Sequence, residues 1–520
     1  MVRVTIDGRK VEVAEGATIL EAARAAGIEI PTMCYRPGWE ASTSCMVCLV
    51  RVKGQHSLQP ACAAPVRDGM EIESETPEVH GARRTAVELL LSDHVGDCRA
   101  PCQSTCPAGM DIPLMIRHLT RHEWREAVAT VKRDIALPGV LGRICPAPCE
   151  KACRRAACDQ ALSICLLKRA AADADLAMPV PFRPACRPDT GRRVAVIGGG
   201  PAGLAAAYHL LEEGIRPVVI DDRAQPGGRL RERIDPARLP GSVLDAEAAV
   251  IAGLGAEFRM NTRVGRDIAF ADLVAGHDAV VLAVGEWAAP EGFPAGLDVT
   301  GHGLAVNPRT GATNLPRVFA CGDAVRKTEM AVIAVAAGKT VARAVAEFLR
   351  TGSAHGADRA FSVHIGRVRP EERAVFLQEG APRARVEPAG GLATGFAEDE
   401  VKAEAQRCLH CDCRRTADCR LRELAVRYGA KASRYKSERR AFEHDLGHPD
   451  IVYEPGKCIL CGLCVQAAER AGDEPGLTLE GRSYDVRVRV PLAGDIAGAL
   501  AKSGKACVAV CPTGALALKA

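Results

Sequence analysis

All but two of the 23 cysteines in this sequence fall into five tight groups: four within 34–62, three within 98–106, five within 145–165, four within 408–419 and five within 458–511. Disulfide geometry disfavours pairing such close neighbours, whereas an iron–sulfur cluster requires thiolates that converge on one point. The spacing therefore predicts iron–sulfur ligation, and with it the transfer of single electrons. Cys186 and Cys321 stand apart and read as buried or incidental thiols.

A second pattern is a glycine loop. Residues 192–204, RRVAVIGGGPAGL, run a strand into Gly198-x-Gly200-x-x-Gly203 and then into the helix LAAAYHLLEEG. The glycines permit a tight turn and the approach of a pyrophosphate to the helix N-terminus, where free N–H groups and the dipole favour anions. A further strand, RPVVIDD, leads to Asp221, about 20 residues on and suited to a ribose hydroxyl. QPGGRL follows, and the far end of the domain reads RTGATNLPRVFACGDAV.

The elements that must position these groups come from a chain of 520 residues with formal charge +4. That length predicts about three to five domains. Basic residues are dispersed and aromatics make up 4% of the chain, which excludes a nucleic-acid stripe with stacking rings. No apolar run reaches the roughly 20 residues needed to span a bilayer. The opening MVRVTIDGRKVEV alternates like a strand and lacks a signal peptide's apolar stretch, so a cytoplasmic location is expected. The fold class expected is multidomain α/β and α+β: a β-grasp 2Fe–2S domain (1–85), a helical 4Fe–4S domain (86–185), a Rossmann-like FAD domain (186–350), a linker with a cysteine motif (351–440) and a ferredoxin-like 4Fe–4S domain (441–520).

Cys34-x10-Cys45-x2-Cys48-x13-Cys62, after a hairpin and a helix, resembles the 2Fe–2S domain of the large iron–sulfur subunit of respiratory complex I and of iron-only hydrogenases. Structural zinc is the alternative for four thiolates, but a compact zinc site more often uses two Cys-x2-Cys knuckles. His94-x3-Cys98 resembles the histidine ligand motif that follows that domain; a surface histidine is the alternative. CRAPCQSTCPAGMDIP and GRICPAPCEKAC resemble the helical domain of the glutamate synthase small subunit and dihydropyrimidine dehydrogenase, which holds two interleaved 4Fe–4S clusters. The resemblance implies one cluster on Cys98, Cys102 and Cys153, with His94 in place of another cysteine. The other takes Cys106, Cys145 and Cys149. Its fourth ligand in the family is a glutamine or glutamate whose place falls near Lys168, and Cys165, on the same helix face, is the substitute.

The glycine loop, GGRL and GDA resemble the FAD domain of the same family. That implies Gly198, Gly200, Ala202 and Gly203 in the dinucleotide loop, Asp221 on the ribose, and Gly227, Gly228 and Arg229 beside the flavin. It also implies Gly285 at a strand end, Gly322 and Asp323 at the ribityl or pyrophosphate region, and a helix from Met330 aimed at the isoalloxazine. In the family an NADPH domain lies between the equivalents of Gly285 and Gly322. Here 37 positions separate them and no second glycine fingerprint occurs, so a loop and a short hairpin are expected.

Cys408, Cys411, Cys413 and Cys419, four cysteines in twelve residues, are expected to share one metal group, a 4Fe–4S cluster with zinc as the alternative. Residues 453–520 resemble a ferredoxin that has lost one of two clusters. Cys458, Cys461, Cys464 and Cys511 form the remaining set, since a cysteine before proline ligates the other group's Cys-x2-Cys-x2-Cys run in two-cluster ferredoxins.

The inventory is FAD, one 2Fe–2S and three to four 4Fe–4S clusters, with no catalytic substrate residues. It predicts an electron-transfer subunit of a multi-subunit oxidoreductase in an anaerobic setting, and electron bifurcation is compatible with it. Expected partners are an NADH-dehydrogenase-type flavin subunit, a hydrogenase or formate dehydrogenase catalytic subunit, and ferredoxin. Two alternatives stand beside it: a self-contained NAD(P)H:acceptor oxidoreductase, and an assembly subunit whose FAD is inert.

Overall fold

The computed structural model describes residues 1–519 apart from 289–291, 295, 359, 416, 436 and 437. Where the sequence suggested five consecutive parts, the chain folds into two compact units, each assembled from separated segments. The first comprises Met1–Arg99, Ala360–Phe376 and Cys411–Ala520; the second comprises Ala100–Arg359 and Leu377–His410.

The first unit opens with a β-grasp sheet. Strands Val2–Ile6 and Arg9–Val13 form an antiparallel hairpin with Val2 opposite Val13. Asp7 and Gly8 turn it with φ of 47° and 79°, the left-handed pair that a two-residue hairpin turn requires. Glu71–Glu73 then pairs parallel to the first strand, and Leu49–Val52 and Gln59–Pro60 complete the sheet. Helix Ile19–Ala25 covers one face. It starts at a reciprocal capping box, in which Glu21 N–H donates to Thr18 Oγ1 and Thr18 N–H to Glu21 Oε2.

Helix Pro77–Ser92 packs against strand Leu49–Val52 and helix Arg420–Arg427. It buries Arg83, whose guanidinium donates to Leu49 O at 3.1 Å and to the Tyr428 hydroxyl at 3.1 Å. The end of the chain adds strands Ile451–Tyr453 and Leu516–Leu518, paired antiparallel, and the packed helices Leu463–Ala471 and Gly504–Val510.

The second unit joins a helical layer to a Rossmann-like one. Its parallel sheet runs Val318–Ala320, Ala279–Leu282, Arg193–Ile197, Arg216–Ile220, Glu257–Arg259. The central strands are continuous apolar runs, as burial on both faces demands. Helices Pro201–Glu212 and Ala331–Thr351 pack on each other over one face. Glu247 ties helix Gly241–Gly253 to the helical layer by accepting from the backbone N–H groups of Gly139 at 2.6 Å and Val140 at 3.0 Å.

Burial of Glu247, 2% exposed, outweighs those two hydrogen bonds and pushes its carboxyl up to about 7. A carboxyl whose pKa rises on folding holds its proton more tightly in the native state, so stability is lost as pH climbs from 4.5 towards 7. The size is about 3 kcal/mol. Glu247→Gln should flatten the decline of apparent melting temperature across that window. An unchanged slope would show that another group carries it.

Candidate cluster and nucleotide sites

In the first unit Cys34, Cys45, Cys48 and Cys62 are all buried at one end of the β-grasp sheet. A hydrogen bond from Cys45 stabilises the Cys34 thiolate and lowers its pKa to about 6. Cys48 and Cys62 form a second hydrogen-bonded pair, and the field of Cys34 reaches both. Thr43 and Met46, with φ of 50° and 52°, turn the loop that carries Cys45 and Cys48 inward.

Cys458, Cys461, Cys464 and Cys511 line one cavity with Tyr453 and Thr513. The backbone N–H of Leu460 donates to Cys458 Sγ at 3.4 Å, the kind of bond that tunes a cluster sulfur. Cys507 lies outside this set. Its thiol donates to Cys464 O at 3.4 Å and meets Ser503 Oγ at the same distance, so it acts as a small buried hydrophobe with a satisfied S–H.

His94 follows helix Pro77–Ser92. Desolvation, then the charge of Lys457, pushes its imidazole down to about 4, against the opposing carboxylate of Asp97. The ring is therefore neutral at physiological pH. Cys98 is buried, with its N–H donating to Val363 O at 3.1 Å and its Sγ accepting from Val363 N–H at 3.4 Å.

The resemblance groups Cys98 with Cys102 and Cys153; in the structure the charge of Cys413 also reaches Cys98, and Cys419 feels both. The expected set of Cys408, Cys411, Cys413 and Cys419 is divided between the two units. Cys408 is part of the second unit's core, whereas Cys413 and Cys419 belong to the first unit. Among the described residues no three His, Cys, Asp or Glu stand tightly enough to hold a single metal ion. Cubane thiolates sit further apart than the shell of one ion.

The second unit brings together Cys106, Cys145, Cys149 and Cys165. A hydrogen bond from Cys165 lowers Cys145 to about 7, while burial raises Cys149 to about 12. Cys165 is fixed by its N–H, which donates to Glu150 Oε1 at 2.9 Å. Lys168, 4% exposed, lies among all four thiols. Burial opposes its charge, but their combined fields more than compensate and raise its pKa. Cys102 lies on helix Pro101–Thr105, which packs on helix Pro148–Lys151, and Cys153 follows that second helix. Both pack against the core that contains Cys408.

The nucleotide loop turns at Gly198, with φ of 107°. A Cβ on Gly203 would collide with Gly198 O, and one on Gly338 with Ala202 O, so these glycines let the backbones close together. Gly200 is different. It has an ordinary φ of −74°, and a Cβ there would meet nothing within 4 Å. The protein gives no packing reason for glycine at that place, and the open space fits the approach of a pyrophosphate.

Asp221 Oδ2 accepts from Gly199 N–H at 2.6 Å and Oδ1 from Arg223 N–H at 2.9 Å, so the carboxylate braces the loop. Gly227 and Gly228 have φ of 127° and 53°, and Gly227 N–H donates to Gly199 O. Arg229 bridges Asp323 at 3.1 Å and Glu286 at 3.0 Å. Asp323 also accepts from Thr328 N–H, Gly285 and Gly322 have φ of 78° and 69°, and Met330 precedes helix Ala331–Thr351.

Residues 1–77 match the 2Fe-2S iron-sulfur cluster binding domain, and residues 92–180 the 4Fe-4S cluster domain II of dihydropyrimidine dehydrogenase. Residues 196–262 match the NAD(P)-binding Rossmann-like domain. The chain is an iron–sulfur and nucleotide-fold mosaic. One relative of the mosaic is the NADPH-Fe(3+) oxidoreductase subunit beta of Geobacter sulfurreducens, 37% identical over 191 residues, or 36% of this chain and 28% of that one. Another is the NADP(+)-dependent formate dehydrogenase subunit beta of Moorella thermoacetica, 38% identical over 220 residues, or 38% and 31%. The NAD-dependent dihydropyrimidine dehydrogenase subunit PreT of Salmonella typhimurium is 36% identical over 190 residues, or 36% and 45%. The matched part of the mosaic thus spans less than half the length of each relative. No helix of the described residues is long and apolar enough to cross a membrane.

Proposed function

We propose that this chain is the electron-transfer flavin and iron–sulfur subunit of a cytoplasmic multi-subunit oxidoreductase. It would pass electrons between a partner's donor site and a partner's catalytic site, of hydrogenase, formate dehydrogenase or NADH-dehydrogenase type, or ferredoxin. The occupant assigned to the glycine loop is FAD, which exchanges electrons singly or in pairs, whereas clusters pass them singly. Gly198, Gly200 and Gly203 would admit its pyrophosphate, Asp221 holds the loop, and Arg229, Asp323 and Glu286 form a polar rim. Cys106, Cys145, Cys149 and Cys165, with Lys168 among them, would hold one 4Fe–4S group. Cys458, Cys461, Cys464 and Cys511 would hold another.

One observation carries the relay reading. Strands Ala279–Leu282 and Val318–Ala320 are direct neighbours, with Val318 opposite Val280. Among the described residues between them, the only strands are Val299–Thr300 and Gly303–Leu304, a two-stranded hairpin. A strand–helix–strand unit takes about 30 residues and a whole nucleotide domain several times that. A second nucleotide domain at this place would therefore have to come from a partner.

Anaerobic rapid mixing of the reconstituted chain with NADH, and separately NADPH, should leave the flavin absorption unbleached, while reduced ferredoxin bleaches it. Fast bleaching by either nucleotide would sink the relay reading in favour of a self-contained NAD(P)H:acceptor oxidoreductase. Flavin that stays oxidised while every cluster turns over would point instead to an assembly subunit.

A further inference from the structure

We propose that His94, Cys98, Cys413 and Cys419 form one iron–sulfur site, built from two stretches of chain 315 positions apart. The proposal rests on the reading of these thiols as cluster ligands and adds a centre that no run of neighbouring cysteines spells out. Its ligands all belong to the first unit. His94 and Cys98 close that unit's opening segment, and Cys413 and Cys419 lie at the start of its last one.

The two stretches are joined by several independent contacts. Val95 N–H donates to Gly456 O at 2.7 Å, next to His94. The Lys457 side chain then runs past Gly96, where a Cβ would overlap it. Gly514 adjoins the same side chain, and a Cβ on Gly514 would overlap Cys413 Sγ. Lys457 therefore has the His94–Cys98 loop on one side and Cys413 on the other, with its charge held by Glu454 at 2.5 Å. Cys419 precedes helix Arg420–Arg427, whose first N–H donates to Pro512 O at 2.9 Å, and this helix packs on the helix that leads to His94. Arg422 Nε donates to Phe361 O at 3.1 Å, two residues from the Val363 backbone that clasps Cys98.

Cys98 and Cys413 are buried and Cys419 is partly so, with their thiols close enough to feel one another's charge. Three thiolates that repel one another inside a protein call for a compensating cation, and a multi-iron cluster would supply it. His94, four residues before Cys98, is the fourth donor in this proposal. A neutral imidazole in place of a fourth thiolate leaves the site one negative charge poorer, which makes the centre easier to reduce than its all-cysteine neighbours. The Val363 N–H bond to Cys98 Sγ acts in the same direction.

The assignment predicts strict non-additivity. In the full anaerobic chain, Cys98→Ser and Cys413→Ser should each remove the same reduced-state EPR signal and one cluster's iron, and the double variant should lose no more than either single one. Iron losses that add in the double variant would overturn the proposal, because the two thiols would then serve different centres. The 2Fe–2S signal of Cys34–Cys62 reports whether the unit has folded, and Cys419→Ser replaces either variant that loses it. Pulsed EPR of the dithionite-reduced wild type should show a nitrogen coupling on this centre. His94→Cys should abolish that coupling and retain the iron; a coupling absent in the wild type or unchanged in the variant overturns the histidine assignment. Dithionite needs no physiological donor, so the relay reading can fail while this site stands, and the reverse.

Discussion

Gly200→Val should yield a folded chain with its clusters in place and no bound dinucleotide. Val is at ease at φ −74° and ψ −177°, an extended backbone that β-branched residues favour. Within the protein its Cβ would meet nothing within 4 Å, so folding has no reason to suffer. The space it enters is the one left for a pyrophosphate, and dinucleotide occupancy should fall at least about tenfold, or about 1.4 kcal/mol. Gly203→Val is the contrast. There a side chain would overlap Gly198 O, so the loop itself must move and stability should fall together with binding. Cofactor content against iron content, measured after anaerobic reconstitution, separates the two. If Gly200→Val keeps a full complement of flavin, the pyrophosphate does not lie over this loop.

How far the sites were legible in the sequence depends on whether the ligands of one site are neighbours in the chain. The β-grasp thiols, Cys34 to Cys62, lie within one small sheet, and the structure buries all four together. The glycine loop is equally local, since strand, turn and helix follow one another from Arg193 to Glu212. Cys165 was within reach because helix Ile164–Leu176 carries it next to Lys168, the position where the family places a different ligand. The reading is least local where the chain leaves one unit and returns. Cys408, Cys411, Cys413 and Cys419 are close in sequence, but a unit boundary falls between His410 and Cys411. Cys98 and Cys102 are similarly close, and the boundary between Arg99 and Ala100 parts them. Proximity along the chain does not by itself assign ligands at such a crossing, and no periodicity marks one.

Lys168→Met should lower the midpoint potential of one 4Fe–4S centre by about 100 mV and leave the others in place. Lys168 is 4% exposed and lies among Cys106, Cys145, Cys149 and Cys165, where the thiolate fields keep it charged in spite of burial. A unit charge felt across roughly 7 Å at an effective permittivity of about 20 is worth about 2.4 kcal/mol, or about 100 mV for one electron. The sign follows from charge: reduction adds an electron, a nearby ammonium favours the more negative state, and removing it makes the centre harder to reduce. Methionine keeps the length of the side chain and fills irregular space well, so a shift in potential is not a symptom of collapse. Lys168→Arg keeps the charge and should keep most of the potential where its larger head fits. Redox titration followed by EPR decides between the readings. A potential within about 20 mV of the wild type, at a permittivity like that above, would mean that Lys168 only fills space between helices. A rise in potential would overturn the electrostatic reading, because losing a nearby positive charge cannot by itself favour the reduced state. The predicted fall, in contrast, would assign to one buried lysine the setting of the potential at which electrons cross the helical layer.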